Sequence, residues 1–115
     1  MIQVIKVAPM CEPEIVTVED TLESWQKEVG GYIQCVYPFD DPVTLLMNEE
    51  GKLMGLTPNR LLYDDKGRPY DYIAGTFFII GLLNDEGEDD GEFHSLSNEL
   101  IRKYMTMYEQ VEIFI

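Results

Sequence analysis

One segment of the sequence constrains the fold more than any other, the apolar stretch 72–83. It contains Ile73 and the run Phe77-Phe78-Ile79-Ile80, and it is the most apolar and most β-prone part of the chain. A strand with apolar residues at consecutive positions has to be covered on both faces, so the stretch predicts a central strand of a sheet. Gly75 and Gly81 within it predict bulges, or places where another group comes close.

Shorter alternating runs predict the remaining strands. Four of them are expected as two antiparallel hairpins, residues 2–8 with 14–19 and residues 32–37 with 43–47. A further edge strand is expected at 111–115, where apolar residues alternate again. Residues 48–70 are rich in turn-forming residues and predict an irregular connector, with a short ordered piece near 59–63.

Two segments have helical spacing. Between Thr21 and Val29, the residues Leu22, Trp25 and Val29 recur at helical intervals, and Asp20 with Glu23 makes a capping-box-like start. A second helix is predicted after an N-cap at Ser95 or Ser97, with one apolar stripe made of Leu100, Ile101, Tyr104, Met105 and Tyr108.

Together these elements predict one α+β domain over residues 1–115. The chain has the size of a single ordinary domain, with apolar content for one core. We expect a mostly antiparallel sheet of about five or six strands with two helices packed on one face.

The balance of charge restricts the partners of the chain. It carries 22 acidic and 8 basic residues, a formal net charge of −14, and six of the acids lie between Asp85 and Glu92 with no base among them. Phosphate backbones are held by Lys and Arg, so this charge excludes most classes of nucleic-acid-binding protein. The partner expected instead is a basic protein surface, with no direct binding of nucleic acid.

No stretch of the sequence has the length of a membrane span. The longest apolar run begins at Phe77 and is far shorter than the roughly 20 residues that cross a bilayer. Residues 1–6 lack the charged start and long apolar stretch of a signal peptide. We therefore expect a cytoplasmic protein that makes no membrane contact.

Signals for metal binding or catalysis are weak. Acids stand at positions 1, 3 and 5 of a calcium loop counted from Glu86, but position 12 is Ser97, where a bidentate Glu is needed. The single histidine, His94, has only distant candidates for a catalytic partner, namely Cys11, Cys35 and Asp71. The chain also lacks GxGxxG, Walker and HExxH motifs. We expect no catalytic residues, no metal and no cofactor.

Several short motifs, taken together, resemble one known family. They are Val29-Gly-Gly-Tyr-Ile-Gln34, Asn48-Glu-Glu-Gly-Lys-Leu53, Gly55 with Pro58-Asn59-Arg60, the segment 71–81 and Phe93-His-Ser-Leu-Ser97. The chain resembles an uncharacterised domain family carried by phages, plasmids and conjugative elements of low-GC Gram-positive bacteria. The resemblance implies a small accessory protein of a mobile element, and it supplies no activity and no catalytic residues.

The middle of the chain holds half of the basic residues, namely Lys52, Arg60, Lys66 and Arg68. Two interpretations of these residues are open: they form a small anion site, or they compensate the charge of neighbouring acids. Within the family-like Pro-Asn-Arg, Asn59 and Arg60 are candidates for ligand binding, because a stiffened turn would present a bidentate cation. Capping of a carbonyl by Asn59, or an ion pair of Arg60, is the structural alternative.

The function expected from these observations is that of a non-enzymatic, acidic accessory protein. Its acids would occupy the basic, nucleic-acid-handling face of a host or mobile-element protein, as a DNA mimic or anti-defence inhibitor. The partner-binding residues expected are Asp85, Glu86, Glu88, Asp89, Asp90 and Glu92. The alternative is a module that binds a small ligand, a nucleotide or signalling molecule, at Asn59 and Arg60.

Overall fold

The computed structural model describes residues 1–112, and within them eight strands and two helices follow one another. The strands are β1 (Ile2–Val7), β2 (Glu14–Val18), β3 (Ile33–Val36), β4 (Val43–Asn48), β5 (Pro58–Tyr63), β6 (Pro69–Ala74), β7 (Phe77–Leu83) and β8 (Asp89–His94). The helices are α1 (Leu22–Val29) and α2 (Asn98–Met107). Neither of these two helices is long and apolar enough to cross a lipid bilayer. Of the strand predicted at 111–115, residues 113–115 lie outside the described part of the chain.

Six of the described strands form one antiparallel sheet, in the order β2-β1-β7-β4-β3 with β8 paired to the end of β7. Strand β7 lies at the centre, since its Ile79 is opposite Ile5 of β1 on one side and Leu45 of β4 on the other. The predicted α+β class, the antiparallel sheet and the central strand are confirmed. Both predicted hairpins are also present, β1 with β2 and β3 with β4.

The apolar stretch 72–83 forms two strands, so the prediction of a single strand is wrong. Gly75 breaks it with a φ of +87°, a left-handed conformation that glycine adopts readily. The N–H of Gly75 donates to the carbonyl of Thr57 at 2.8 Å. Strand β6 therefore leaves the main sheet and pairs with β5, the ordered piece expected near 59–63, in a second sheet of two strands.

The main sheet is covered on both faces. Side chains alternate along a strand, so Phe78 and Ile79 of β7 point to opposite faces. Ile79 belongs to a cluster with Tyr104 of α2 and Leu62 of β5, whereas Phe78 belongs to a second cluster with Trp25 of α1. The helices thus cover opposite faces, and the expectation that both pack on one face is not confirmed. The physical reason is that both faces of β7 are apolar and each needs a cover.

Helix α1 begins at a different cap from the one predicted. The N-cap is Thr21, whose Oγ1 accepts a hydrogen bond from the N–H three residues further on at 3.1 Å. Asp20, predicted to start a capping box, instead accepts a hydrogen bond from the indole Nε1 of Trp25 at 2.9 Å. Leu22 was predicted on the apolar face, but it is 59% exposed. The buried face of α1 is therefore narrower than the sequence pattern indicates.

Helix α2 agrees with its prediction. Ser97 is the N-cap, and its Oγ accepts the N–H of Leu100 at 3.3 Å. Ile101, Tyr104 and Tyr108 of the predicted stripe are buried against the sheet. This packing places the end of α2 beside the edge of β5.

Candidate functional site

The acidic segment 84–92 forms the turn and part of the second strand of the hairpin of β7 and β8. Its first half is the turn from β7, and its second half, from Asp89 onward, is strand β8. Asn84 closes the turn, because its Oδ1 accepts the N–H groups of Glu86 and Glu88 at 2.9 and 3.0 Å. An Asn side chain that accepts the backbone N–H groups of its own turn stabilises that turn. These bonds order a segment whose composition disfavours strands. We call residues 84–92 the acidic hairpin.

All six carboxylates predicted as the partner site lie on the acidic hairpin, and all six are exposed. Asp90 is hydrogen-bonded to the ring of His94, with 2.8 Å between Oδ1 and Nε2. This hydrogen bond holds the pKa of Asp90 below its usual value. Within residues 1–112 the other five carboxylates form no ion pair with a base. The structure therefore brings the predicted acids together and leaves most of their charge uncompensated.

The same hydrogen-bonded turn occurs a second time, with bases at two of the positions that hold acids in the acidic hairpin. In the hairpin of β5 and β6, Asp64 Oδ1 accepts the N–H groups of Lys66 and Arg68 at 2.9 and 2.8 Å. Lys66 and Arg68 thus occupy the positions that Glu86 and Glu88 hold in the acidic hairpin. The two turns share one hydrogen-bond pattern, with bases at two positions of one turn and acids at the same positions of the other.

Two of the four basic residues of the middle segment, Lys52 and Arg68, pair with acids. Arg68 Nε lies 3.4 Å from Asp64 Oδ2, and Lys52 pairs with Asp71 while its ammonium also lies 4.6 Å from the ring centre of Tyr72. The pairing with Lys52 lowers the pKa of Asp71. These contacts support compensation of neighbouring acids over a shared anion site.

Asn59 and Arg60 lie inside the protein, with no exposed surface. Asn59 Nδ2 donates to the carbonyls of Val7 and Gly75, both at 2.9 Å. Its Oδ1 accepts a hydrogen bond from Arg60 Nη1 at 2.9 Å. The structural alternative for Asn59, the capping of carbonyl groups, is confirmed, and it joins β1, β5 and the Gly75 turn.

The guanidinium of Arg60 ties two further parts of the chain. Its Nη2 donates to the carbonyl of Cys11 at 2.8 Å and to that of Tyr108 at 2.9 Å. Burial lowers the pKa of Arg60, with Glu112 opposing this shift, and the Nε–H has no hydrogen-bond partner among residues 1–112. With both head groups engaged internally, the ligand site expected at Asn59 and Arg60 has no accessible surface. The sequence could not reveal these partners, because they lie 48 and 49 residues away.

A cleft that the sequence did not predict lies between the edge of β5 and the end of α2. It encloses about 450 Å³, and we call it the β5–α2 cleft. Its apolar lining consists of Pro38, Phe39, Leu61, Leu62, Tyr63, Met107 and Tyr108. Its carboxylates are Asp40, Asp64, Asp65 and Glu112, and its described lining includes no Lys or Arg. The signal available in sequence was weak, since the four acids come from three separate segments.

His94, the candidate for catalysis, is hydrogen-bonded to a residue other than the catalytic partners that the sequence offered. The ring of His94 is bonded to Asp90, and among residues 1–112 it makes no hydrogen bond to Cys11, Cys35 or Asp71. Burial raises the pKa of the Cys35 thiol, which disfavours the nucleophilic thiolate. Residues 1–112 also contain no group of three or more His, Cys, Asp or Glu side chains that could hold a metal ion.

Comparison with known proteins gives one match. A family model described as a domain of unknown function (DUF3846) matches residues 2–109, a range that includes all ten elements described above. Comparisons with curated proteins and with solved structures gave no match. The matched description agrees with the resemblance to a domain family without a defined activity, and it assigns no role to any residue.

Proposed function

We propose that this chain, which belongs to the DUF3846 family of domains of unknown function, is a non-enzymatic binding protein that occupies a basic protein surface. The surface proposed is the nucleic-acid-handling face of a host or mobile-element protein. The chain would act as a DNA mimic in the setting of a mobile genetic element, where such an accessory protein inhibits a defence or regulatory enzyme.

The observation that carries the proposal is the acidic hairpin with its six exposed carboxylates. Strand β8 holds Asp89, Asp90 and Glu92 within four positions, and an antiparallel strand rises about 3.4 Å per residue. One strand of B-DNA presents a phosphate for every 3.4 Å or so of helix axis. Successive side chains of a strand point to opposite faces, so the carboxylates of β8 do not form one row at phosphate spacing, but the Lys and Arg side chains that bind phosphate can also pair with these carboxylates.

The charge of the whole chain supports the same partner. With a net charge of −14, the protein attracts cationic surfaces over distances comparable with the Debye length, about 8 Å at physiological salt. Among residues 1–112, five of the six hairpin carboxylates form no ion pair, so a partner's cations can reach these five without displacing another base. The rival small-ligand module at Asn59 and Arg60 is not developed further, because both side chains are fully buried and hydrogen-bonded internally.

The test is a binding titration against a DNA-handling protein captured from the host by pull-down. We expect the affinity to fall at least tenfold, by rough estimate, between 50 and 200 mM salt. The protein should also displace a labelled DNA duplex from its partner. Affinity that is independent of salt, or a ternary complex with DNA, would refute mimicry.

Two variants of equal charge locate the contact. In the first, the six acids of the acidic hairpin are neutralised, Asp to Asn and Glu to Gln. In the matched control, six exposed glutamates elsewhere are changed to Gln, namely Glu12, Glu14, Glu19, Glu28, Glu49 and Glu109. Both variants lose the same net charge, so a larger loss of affinity in the first variant assigns binding to the hairpin. Equal losses would show that only the overall charge matters.

A further inference from the structure

We propose that the β5–α2 cleft holds an arginine side chain from an extended, basic segment of the partner protein. This inference rests on the proposed function in one respect, that the partner is basic. It adds a second contact site, on the opposite end of helix α2 from strand β8.

The shape and lining of the cleft fit the stem of an arginine. Leu61 and Tyr63 on β5 form one wall, Met107 at the end of α2 forms the other, and Phe39 lies at the β3–β4 turn. An arginine buries its methylene stem along apolar surface while its head group stays polar. The guanidinium plane also stacks on aromatic rings, and Tyr63, at 50% exposed, presents one at the mouth of the cleft.

The carboxylates of the cleft supply the complementary charge. Asp40 and Asp65 are exposed, and among residues 1–112 neither forms an ion pair. Asp64 is engaged by Arg68, so the two free carboxylates are the ones available to a guest. The described lining includes no Lys or Arg, and Arg68 reaches it only through Asp64, so a cation entering the cleft can pair with Asp40 and Asp65. Arginine suits this site better than lysine because its planar head group can pair with carboxylates in a bidentate manner.

The edge of β5 favours an extended guest. Among the described strands β5 pairs only with β6, so its other edge faces the cleft. On that edge the N–H of Leu61 donates a hydrogen bond to Glu112 Oε2 at 3.1 Å. A strand edge with no neighbouring strand among residues 1–112 is a surface to which an extended peptide can add.

The experiment is an NMR titration of the ¹⁵N-labelled full chain with the capped peptide Gly-Arg-Leu-Arg-Gly. We expect amide shifts concentrated at Leu61, Asp65 and Met107, and no such shifts with the peptide in which Glu replaces Arg. Asp40→Asn and Asp65→Asn should each weaken binding by about two- to fivefold, the effect of one half-exposed ion pair.

A positive charge added inside the cleft gives the sharpest variant. Met107→Lys places a cation in the cleft at an exposed helix end, where lysine is compatible with the helix dipole. Thr106→Lys is the matched control, since it adds the same charge next door and Thr106 does not line the cleft. Met107→Lys should reduce peptide affinity about tenfold or more, and Thr106→Lys should change it less than about twofold. Equal effects of the two variants would overturn the proposal.

The remaining outcomes separate this proposal from the proposed function. Neutralising the acidic hairpin should leave the peptide shifts in the cleft, whatever it does to partner binding. Peptide shifts centred on residues 84–92 would overturn the cleft proposal while leaving the hairpin as the basic-partner site. A truncated chain that ends at Glu112 tests whether residues 113–115 of the same chain occupy the cleft. If the truncated chain is less stable than the full chain, and neither of the two binds the peptide, the cleft belongs to these residues.

Discussion

The guanidinium of Arg60 lies against the amide of Asn59, with Nη1 2.9 Å from Oδ1, and neither side chain has exposed surface. Through this pair the Gly75 turn, β1, the loop after β1 and the end of α2 are joined by hydrogen bonds at a single point. A buried cation shared among carbonyl groups is costly to assemble and more costly to break. The pair therefore organises the protein around the two-stranded sheet of β5 and β6.

Removing the buried cation should strongly destabilise the fold. Arg60→Met leaves the carbonyls of Cys11 and Tyr108 without their donor, and each unsatisfied buried group costs about 1–3 kcal/mol. We expect the free energy of unfolding to fall by about 3 kcal/mol or more, measured by urea denaturation with Trp25 fluorescence. Arg68→Met, at an arginine that is 70% exposed, is the control and should change stability by less than about 0.5 kcal/mol. Similar stabilities of the two variants would contradict a structural role for Arg60.

The carboxyl of Asp41 should contribute stability that depends on pH. Hydrogen bonds from Lys103 and from Tyr104 hold the pKa of Asp41 below its usual value. A carboxyl of lowered pKa stabilises the fold above its unfolded pKa of about 3.9, and this stabilisation is lost as the pH falls through the folded pKa. Wild type should therefore have a higher free energy of unfolding than Asp41→Asn at neutral pH, and this difference should disappear in acid.

Urea titrations from neutral pH down into the acid range measure this gap. Comparing the two proteins at each pH removes the common effect of protonating the many other carboxyls. Asp40→Asn is the neighbouring control, at an exposed carboxyl that has no ion pair among residues 1–112. A gap between wild type and Asp41→Asn that stays constant from neutral to acid pH would contradict the role of the Lys103 and Tyr104 contacts.

A methyl group at Gly81 should disturb the junction of β7 and β8. A Cβ there would lie 2.7 Å from the carbonyl oxygen of Ser95 and 3.0 Å from that of His94, so the backbone has to move. Gly81→Ala should cost about 1–3 kcal/mol of stability and shift the amide resonances of β8. In Gly55→Ala the new Cβ meets open space, so that variant measures left-handed strain alone, about 1 kcal/mol. Unchanged resonances of β8 in Gly81→Ala would show that this contact does not position the acidic hairpin.

The two apolar residues at the start of α1 should differ sharply in their effect on stability. Trp25 packs edge-on against Phe78 and Phe93, with ring centres 5.4 and 6.0 Å away, and is almost fully buried. Trp25→Ala should cost about 3–5 kcal/mol, whereas Leu22→Ala, at an exposed position, should cost less than about 0.5 kcal/mol. Thermal unfolding followed by circular dichroism compares the two variants. A large loss in Leu22→Ala would mean that Leu22 is covered in solution.

Local patterns predicted much of the fold. The hairpins β1–β2 and β3–β4 and the stripe of α2 follow from residue spacing, because their alternation and turn residues lie within a few positions of one another. The split at Gly75 was not predictable in this way, since the carbonyl that receives its N–H belongs to Thr57, outside the apolar stretch. The faces covered by α1 and α2 also depended on long-range packing.

The candidate sites also differ in whether local sequence or long-range packing identifies them. Composition identified the acids of the acidic hairpin, because six carboxylates without a base nearby are visible in any reading of the sequence. It could not identify Asn59 and Arg60 as buried, because their partners are brought to them by the folding of distant segments. In the sequence, an Asn-Arg pair looks the same whether its side chains face solvent or the core.

Periodicity thus predicts an antiparallel α+β domain, and composition gives the chain its large excess of negative charge. The tertiary structure decides which charges remain free. It pairs Asp41, Asp64 and Asp71 with bases, leaves most of the acidic hairpin uncompensated, and gathers Asp40, Asp65 and Glu112 around one apolar cleft. The reason is that neutralisation and burial act through space, over a few ångströms, between residues that the sequence keeps far apart.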